Sequence, residues 1–247
     1  MCCTDGDMGL RRNLLSSILA ATCFVMILQA SEPSTGIAAE FRSVQRFLSA
    51  DNEPLRQYRA FRRLEASNGR FKKEAWLEAW TEVDAAGFRY DIVSEGGSAY
   101  IANRVLRAAL EGEQALWSDR LSGRSSLTTA NYDFIAASLD ASGLMRVTVK
   151  PKRKDELLID GVIILTPDTG DLMRVEGRLA KSPSFWTGRI EVVRTYDRIV
   201  GVRVPVRTES VAQVKMAGAS SFAMSYEYEA INGRRVGSPS VVARITP

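Results

Sequence analysis

The reading of this chain turns on residues 58–83: Tyr58-Arg-Ala-Phe-Arg-Arg-Leu-Glu-Ala-Ser67, then Asn68-Gly69, then, after Arg70, Phe71-Lys-Lys-Glu-Ala-Trp-Leu-Glu-Ala-Trp80-Thr-Glu-Val83. Two extended runs flanking Asn-Gly are a strong short-range signal for a β-hairpin, because both central residues of the tight turn take positive φ. A third strand follows over residues 87–94, with Phe88, Tyr90 and Ile92 on one face. Gly96-Gly97 then marks a turn, and the period changes. Ile101, Val105 and Ala108 form one row, with Leu106, Leu110 and Trp117 beside it, while Arg104, Arg107, Glu111 and Glu113 lie largely elsewhere. The spacing predicts one long amphipathic helix over residues 98–118.

From Asn131 onward the pattern is β. Strand-length segments occupy 144–149, 157–165, 172–179, 190–196, 202–210 and 221–228, separated by turn residues such as Asp168-Thr169-Gly170, Gly201 and Asn232-Gly233. In the last segment Phe222, Met224, Tyr226 and Tyr228 alternate with Ala223, Ser225, Glu227 and Glu229, as in a half-buried strand. Eight to ten strands with short connections predict a mainly β fold with α-helix (α+β): one strongly curved antiparallel sheet, an unclosed β-barrel with a long helix inserted after the third strand. No internal repeat is visible.

The N-terminus reads as an export signal, removed after export or, alternatively, kept as an uncleaved membrane anchor. Arg11 and Arg12 precede an apolar run over residues 14–28, shorter than the roughly 20 apolar residues that span a bilayer. Met8 is a more natural start than Met1, given Asp5 and Asp7. The Leu19-to-Cys23 stretch matches a lipidation signal poorly, with Thr22 where Gly or Ala is usual. Residues 1–30 are therefore expected to be a signal peptide and 31–39 a flexible spacer. Residues 40–247 are expected to be one domain that opens with a short amphipathic helix (Phe41, Val44, Phe47, Leu48), working in the periplasm, with membrane association open. Cys2, Cys3 and Cys23 all fall inside the signal, so the remaining chain of about 210 residues needs no disulfide.

The chain has no histidine, 25% charged residues and a formal charge of +4. That charge suits an anionic membrane surface better than a nucleic acid, which calls for a concentrated basic face. Without histidine or cysteine the available bases are carboxylates, Lys and Tyr. No phosphate loop, dinucleotide glycine pattern, nucleophile elbow or zinc motif is present, so no catalytic residue, metal site or cofactor is expected. Glu78 and Glu82 could mimic a glycosidase pair, but alternating acids on a strand usually face water.

The hairpin opening, the helix after the third strand, Asp160-Gly161 opening a strand, Gly170-Asp171-Leu172 before Val175-Glu176-Gly177, and Ile199-Val-Gly-Val-Arg-Val-Pro205 together resemble the LolA-like group of outer-membrane lipoprotein-sorting proteins. The resemblance spans roughly residues 55–231 and is carried by order and spacing. It implies an unclosed barrel whose concave apolar face, covered by helices, accepts lipid or lipoprotein acyl chains, with no reaction. The chain departs from compact carriers in its length and in its Lys150-Pro-Lys-Arg-Lys154 run.

Candidate contacts follow. Trp76 and Trp80 share a strand face and could wall a lipid groove, together with Trp117, Met224 and Tyr226. The alternative is ordinary core or a strand edge. Lys152, Arg153 and Lys154 could touch anionic head groups or form a solvated turn. Phe185-Trp186 could meet a membrane or an envelope protein, or fold back to plug the barrel end. The two functional readings are a periplasmic binder of an acyl-bearing ligand and an envelope sensory or structural protein that binds a protein partner.

Overall fold

The computed structural model describes residues 35–50, 53–118, 121–183 and 187–237, all within one compact unit, Ser34–Pro247. The expected signal segment and the Phe185-Trp186 pair lie outside the described residues.

The chain opens with helix α1 (Thr35–Ser49), which begins inside the stretch expected to be spacer. A hairpin of β1 (Tyr58–Asn68) and β2 (Lys73–Asp84) follows, then β3 (Gly87–Gly97). Residues 99–118 are helical throughout: α2 (Ala99–Ile101), a π-helical stretch (Ala102–Arg107) and α3 (Ala108–Ser118). The rest is a meander: β4 (Tyr132–Leu139), β5 (Met145–Pro151), β6 (Ile159–Leu165), β7 (Leu172–Leu179), β8 (Thr187–Ile199), β9 (Val202–Val214) and β10 (Gly218–Ile231). A two-residue strand, β11 (Arg234–Arg235), pairs with β10.

All pairings are antiparallel, in the order β3-β2-β1-β10-β9-β8-β7-β6-β5-β4. The last long strand thus returns to the first, β10 beside β1, while β3 and β4 remain edges. The sheet is curved and unclosed.

The first turn differs from the sequence expectation. Asn68 pairs with Lys73, so Gly69 to Lys72 form a four-residue loop, and the positive φ falls on Lys72. Asn68 braces this loop with its side chain, accepting from the Phe71 amide and donating to Ala217 and Ser220. The tight Asn-Gly turn occurs instead at Asn232-Gly233, where both φ values are positive and Ile231 pairs with Arg234.

Two helices cover one face of the sheet and create two separate apolar clusters. The 99–118 helix inserts Ile101, Leu106 and Leu110 against Leu64, Leu77, Ala79 and Val83. Full burial of each leucine contributes about 1.5–3 kcal/mol. At the other end α1 lays Val44 and Phe47 over Tyr132, Val147, Ile163 and Leu172. The Ser43 hydroxyl donates to the Pro167 carbonyl at 2.7 Å, and Gly170 lets the chain pass beneath: a Cβ there would stand 2.8 Å from the Ser43 oxygen.

Candidate functional site

The strand registers define a lane across the helix-covered face: Leu77, Leu64, Met224, Thr208, Arg194, Val175, Ile163 and Val147, from β2 to β5. Its two ends are buried and apolar, as a core lane should be. Its middle is Thr208 and Arg194. The polar pair falls between the two clusters.

Further polar groups gather there. On the β1 side, the fully buried Arg62 guanidinium forms a two-point ion pair with Glu113 of α3, 2.6 and 3.0 Å, and also donates to the Tyr58 hydroxyl. Aromatic rings surround it. Its guanidinium carbon lies 4.5 Å from the Tyr226 ring centre, 5.3 Å from Phe88 and 5.6 Å from Tyr58. Tyr226 stacks on Tyr228, and Tyr58 meets Tyr228 edge-on. Desolvation alone would lower the Arg62 pKa, but the Glu113 carboxylate outweighs it and the cation is held. Burial raises the phenol pKa of Tyr58, Tyr226 and Tyr228, so all three stay neutral.

On the other side stand Tyr196, packed against the second cluster, and Arg203, whose guanidinium lies 5.0 Å from the Phe47 ring centre. Arg194 is surrounded by protein yet only half-buried by surface area, which places it where water still reaches. Its charge is favoured chiefly by the Tyr196 phenol. Burial pushes the Arg203 pKa down. Among the described residues neither Arg194 nor Arg203 forms an ion pair with a carboxylate; Asp171, the acid nearest in influence to Arg203, is held by Arg198. The buried Thr208 hydroxyl lacks a well-formed hydrogen bond, its neighbour being the Tyr226 phenol.

The structure brings three of the expected groove residues together. Trp117, Met224 and Tyr226 all pack within the cluster under the 99–118 helix. Trp76 and Trp80 do share a strand face, but it is the opposite one. The lane that β2 buries is Ala75, Leu77, Ala79, Thr81 and Val83. Trp76 lies against Gly96 under Arg63, and Trp80 under Arg59 at 4.5 Å and edge-on to Phe61 at 5.4 Å. Arg59 is itself paired with Glu82 and Glu229. These tryptophans therefore form a charged and aromatic ladder on the outside of the sheet, and the shallow depression of about 290 Å³ beside Trp80 belongs to that face.

The basic turn between β5 and β6 is exposed at Lys152, Arg153 and Lys154, but its cations are not equivalent. All three guanidinium nitrogens of Arg153 are engaged, by Asp155, the Asn131 side chain and the Arg124 carbonyl, at 3.2, 2.7 and 2.8 Å. Lys152 donates to the Thr129 carbonyl at 2.7 Å. Arg153 is a loop brace, and Lys154 is the outward charge. The buried Asp155 beneath them is lowered to about 2, first by the Leu157 amide, then by Arg124 and Arg153, against an opposing burial cost.

Sequence reasoning passed over Arg62, Arg194, Arg203 and Thr208. A signal existed: Arg62 occupies the even lane of Tyr58-Ala60-Arg62-Leu64-Ala66, and Arg194 the lane of Ile190-Val192-Arg194-Tyr196. A cation inside an otherwise apolar lane marks a position with a special partner.

No protein-family model matches the chain, and no curated protein matches it in sequence. Three solved structures are similar to it. A LolA superfamily protein from Nitrosomonas europaea shares 8% identity over 83% of this chain and 96% of that one, with a TM-score of 0.42. A domain from Vibrio parahaemolyticus named for outer-membrane lipoprotein sorting shares 10% identity over 78% and 92%, with a TM-score of 0.35. A DUF1329 family protein from Desulfovibrio piger shares 9% over the same shares, with a TM-score of 0.34. Among the described residues no helix is long and apolar enough to cross a membrane, and no group of three or more acids is placed to hold a metal.

Proposed function

We propose that this protein is a non-enzymatic carrier that holds the acyl portion of an amphiphile along the helix-covered face of its sheet, acting in the periplasm after export. One observation carries the reading: the face is lined by two separate apolar clusters with a polar gap between them, at which Arg194 is only half-buried, where an ordinary domain would close one continuous core. Met224 and Tyr226 adjoin this gap on one side and Tyr196 on the other, with Trp117 and Phe47 further out in the same two clusters. Each methylene buried there contributes about 0.8 kcal/mol, so a single chain gives useful affinity without any covalent step. Small-molecule sites of this kind are mostly apolar with a few placed polar groups.

Native mass spectrometry of the gently extracted protein tests it, with uptake of a fluorescent fatty acid as the second measurement. Recovery of lipid adducts and saturable uptake are expected. Folded protein that repeatedly carries no lipid and takes up no fatty acid would overturn the reading.

A further inference from the structure

The carrier reading leaves one set of groups without a task. Arg194 lies in the gap and Arg203 four residues further along the β8–β9 pairing, opposite Arg198, with Tyr196 between them on β8; neither arginine has a carboxylate partner among the described residues, since Glu113 is committed to Arg62 and Asp171 to Arg198. Removing a guanidinium from bulk water is costly unless it is paired, hydrogen-bonded or still reached by water. Arg194 keeps that access: it is half-buried at the middle of an otherwise apolar lane, beside Thr208 in the strand register. Thr208 contributes a buried hydroxyl with no well-formed hydrogen bond, and buried polar atoms are normally satisfied. The Tyr196 phenol lies close enough to both arginines to influence them. Phe47, brought in by α1, supports the Arg203 guanidinium from below.

We propose that this gap is an oxyanion site: Arg194 and Arg203, with the hydroxyls of Thr208 and Tyr196, receive the carboxylate or phosphate head of a single-headed anionic amphiphile. The chemistry matches. A guanidinium presents planar paired donors to two oxygens of one anion, and the hydroxyls supply further donors. The net charge of the gap is positive, because Arg62 and Glu113 cancel each other. Apolar surface continues on the Val192 side of the head, through the second cluster, whereas on the Met224 side the next charges are the mutually neutralised Arg62 and Glu113. A head that is cationic, or lacks charge, would leave both arginines unpaired. The ligand class is thereby narrowed from acyl-bearing molecules in general to anionic ones held by the head inside the sheet.

The inference rests on the carrier reading, and the experiment separates the two. The full chain, stripped of lipid, is loaded with the neutral probe N-phenyl-1-naphthylamine, and the probe is displaced by dodecanoate, dodecyl phosphate, dodecanol and dodecyltrimethylammonium. With the unaltered protein the two anions should compete about tenfold better than dodecanol or more, the scale of a charge-assisted hydrogen bond. Whichever anion competes better identifies the head as carboxylate or phosphate. Arg194→Met with Arg203→Met should erase that preference while probe loading and thermal midpoint are kept. Thr208→Val, a smaller change that leaves both charges, should reduce the preference in the same direction and serves if the double variant does not fold. Equal competition by dodecanol and the anions, or full preference retained in a folded variant, overturns the oxyanion site and leaves the carrier standing. Failure of the folded protein to load the neutral probe or any competitor overturns both.

Discussion

Arg62 on β1 and Glu113 on α3 meet in a two-point ion pair, Nη1 to Oε2 at 2.6 Å and Nη2 to Oε1 at 3.0 Å. The arginine is almost wholly buried, and the glutamate keeps about a quarter of its side chain in water (1% and 26% exposed). The pair therefore ties the 99–118 helix to the sheet at the border of the gap. Its asymmetry predicts an asymmetric response. Glu113→Ala strands a buried cation and should cost about 3 kcal/mol. Arg62→Met combined with Glu113→Leu removes both charges and should recover much of that loss. Urea midpoints of the single and double variants check it, and a cost below about 0.5 kcal/mol for Glu113→Ala would show that the guanidinium finds another partner.

The two tryptophan sets should separate function from stability. Trp80 lies outside the sheet beneath Arg59, so Trp80→Ala should cost about 1–2 kcal/mol through lost ring contacts and leave fatty-acid uptake unchanged. Trp117 is half-buried against the cluster under the 99–118 helix, so on the carrier reading Trp117→Ala should weaken uptake by more than its stability cost of about 2–3 kcal/mol explains. Parallel urea titrations and uptake assays test both. Reduced uptake by Trp80→Ala at unchanged stability would move the binding face to the other side of the sheet.

These tryptophans also show what the sequence could and could not reveal. Their spacing fixed that they share a face, because side chains on a strand repeat every second residue. It could not fix which face. Ala75, Leu77, Ala79, Thr81 and Val83 make the buried lane because a closely packed helix needs small partners, whereas the bulky rings are covered by arginines. The helix over residues 98–118 was legible from its period, and the strand succession from its turns. The strand order was not, since the return of β10 to β1 joins segments more than 150 residues apart, such as Ser67 and Ser221. Asn68-Gly69 and Asn232-Gly233 look alike in sequence. The Asn68 side chain is engaged by residues 217 and 220, and that tertiary contact draws the first into a longer loop. Arg62 and Arg194 escaped because a search for apolar periodicity scores them as interruptions, when their polarity inside the lane is the information.

A pair of glycines sets the approach of β6 and β7. Gly161 and Gly177 face each other in register, and a Cβ on Gly161 would stand 2.0 Å from the Glu176 carbonyl oxygen. The obstacle is backbone, which cannot rotate away as a side chain could. Gly161→Ala should therefore part the two strands and cost about 3 kcal/mol or more. Hydrogen exchange of the β6 and β7 amides would report it as lost protection there, with protection in β1 and β2 kept. Unchanged protection would show that the sheet yields at this point without cost.

Asp155 makes stability depend on pH at the acid end. Its carboxylate is shielded by its own loop, held by the Leu157 amide and by Arg124 and Arg153, and its pKa is lowered to about 2. A group whose folded pKa is depressed contributes stability that is complete above its unfolded value, about 3.9, and is lost as pH falls toward the folded value. Because the loop lies near bulk solvent, the contribution is about 1–2 kcal/mol after screening. Asp155→Asn should be less stable than the unaltered protein at neutral pH by that amount. The difference should shrink steadily between about pH 5 and pH 2. A difference independent of pH over that window would assign the effect to the amide's shape rather than to charge.

The basic turn separates into a brace and a projecting charge, and the two should fail differently. Arg153→Gln removes the guanidinium that links Asp155, Asn131 and the Arg124 carbonyl, so it should lower stability by about 1–2 kcal/mol. Lys152→Gln with Lys154→Gln leaves that brace in place and should be nearly neutral in urea. If this turn meets an anionic bilayer, the double lysine variant should bind anionic vesicles less tightly, by about 1 kcal/mol per charge near the surface. The loss should be greatest at low salt and fade as the screening length falls to about 8 Å at physiological ionic strength. Fatty-acid uptake should stay unchanged, because Lys152 and Lys154 stand at the exposed turn after β5 and outside both apolar clusters. Vesicle binding equal to that of the unaltered protein across the salt series would leave the lysines as a solvated turn, with Arg153 and Asp155 as the part that the fold requires.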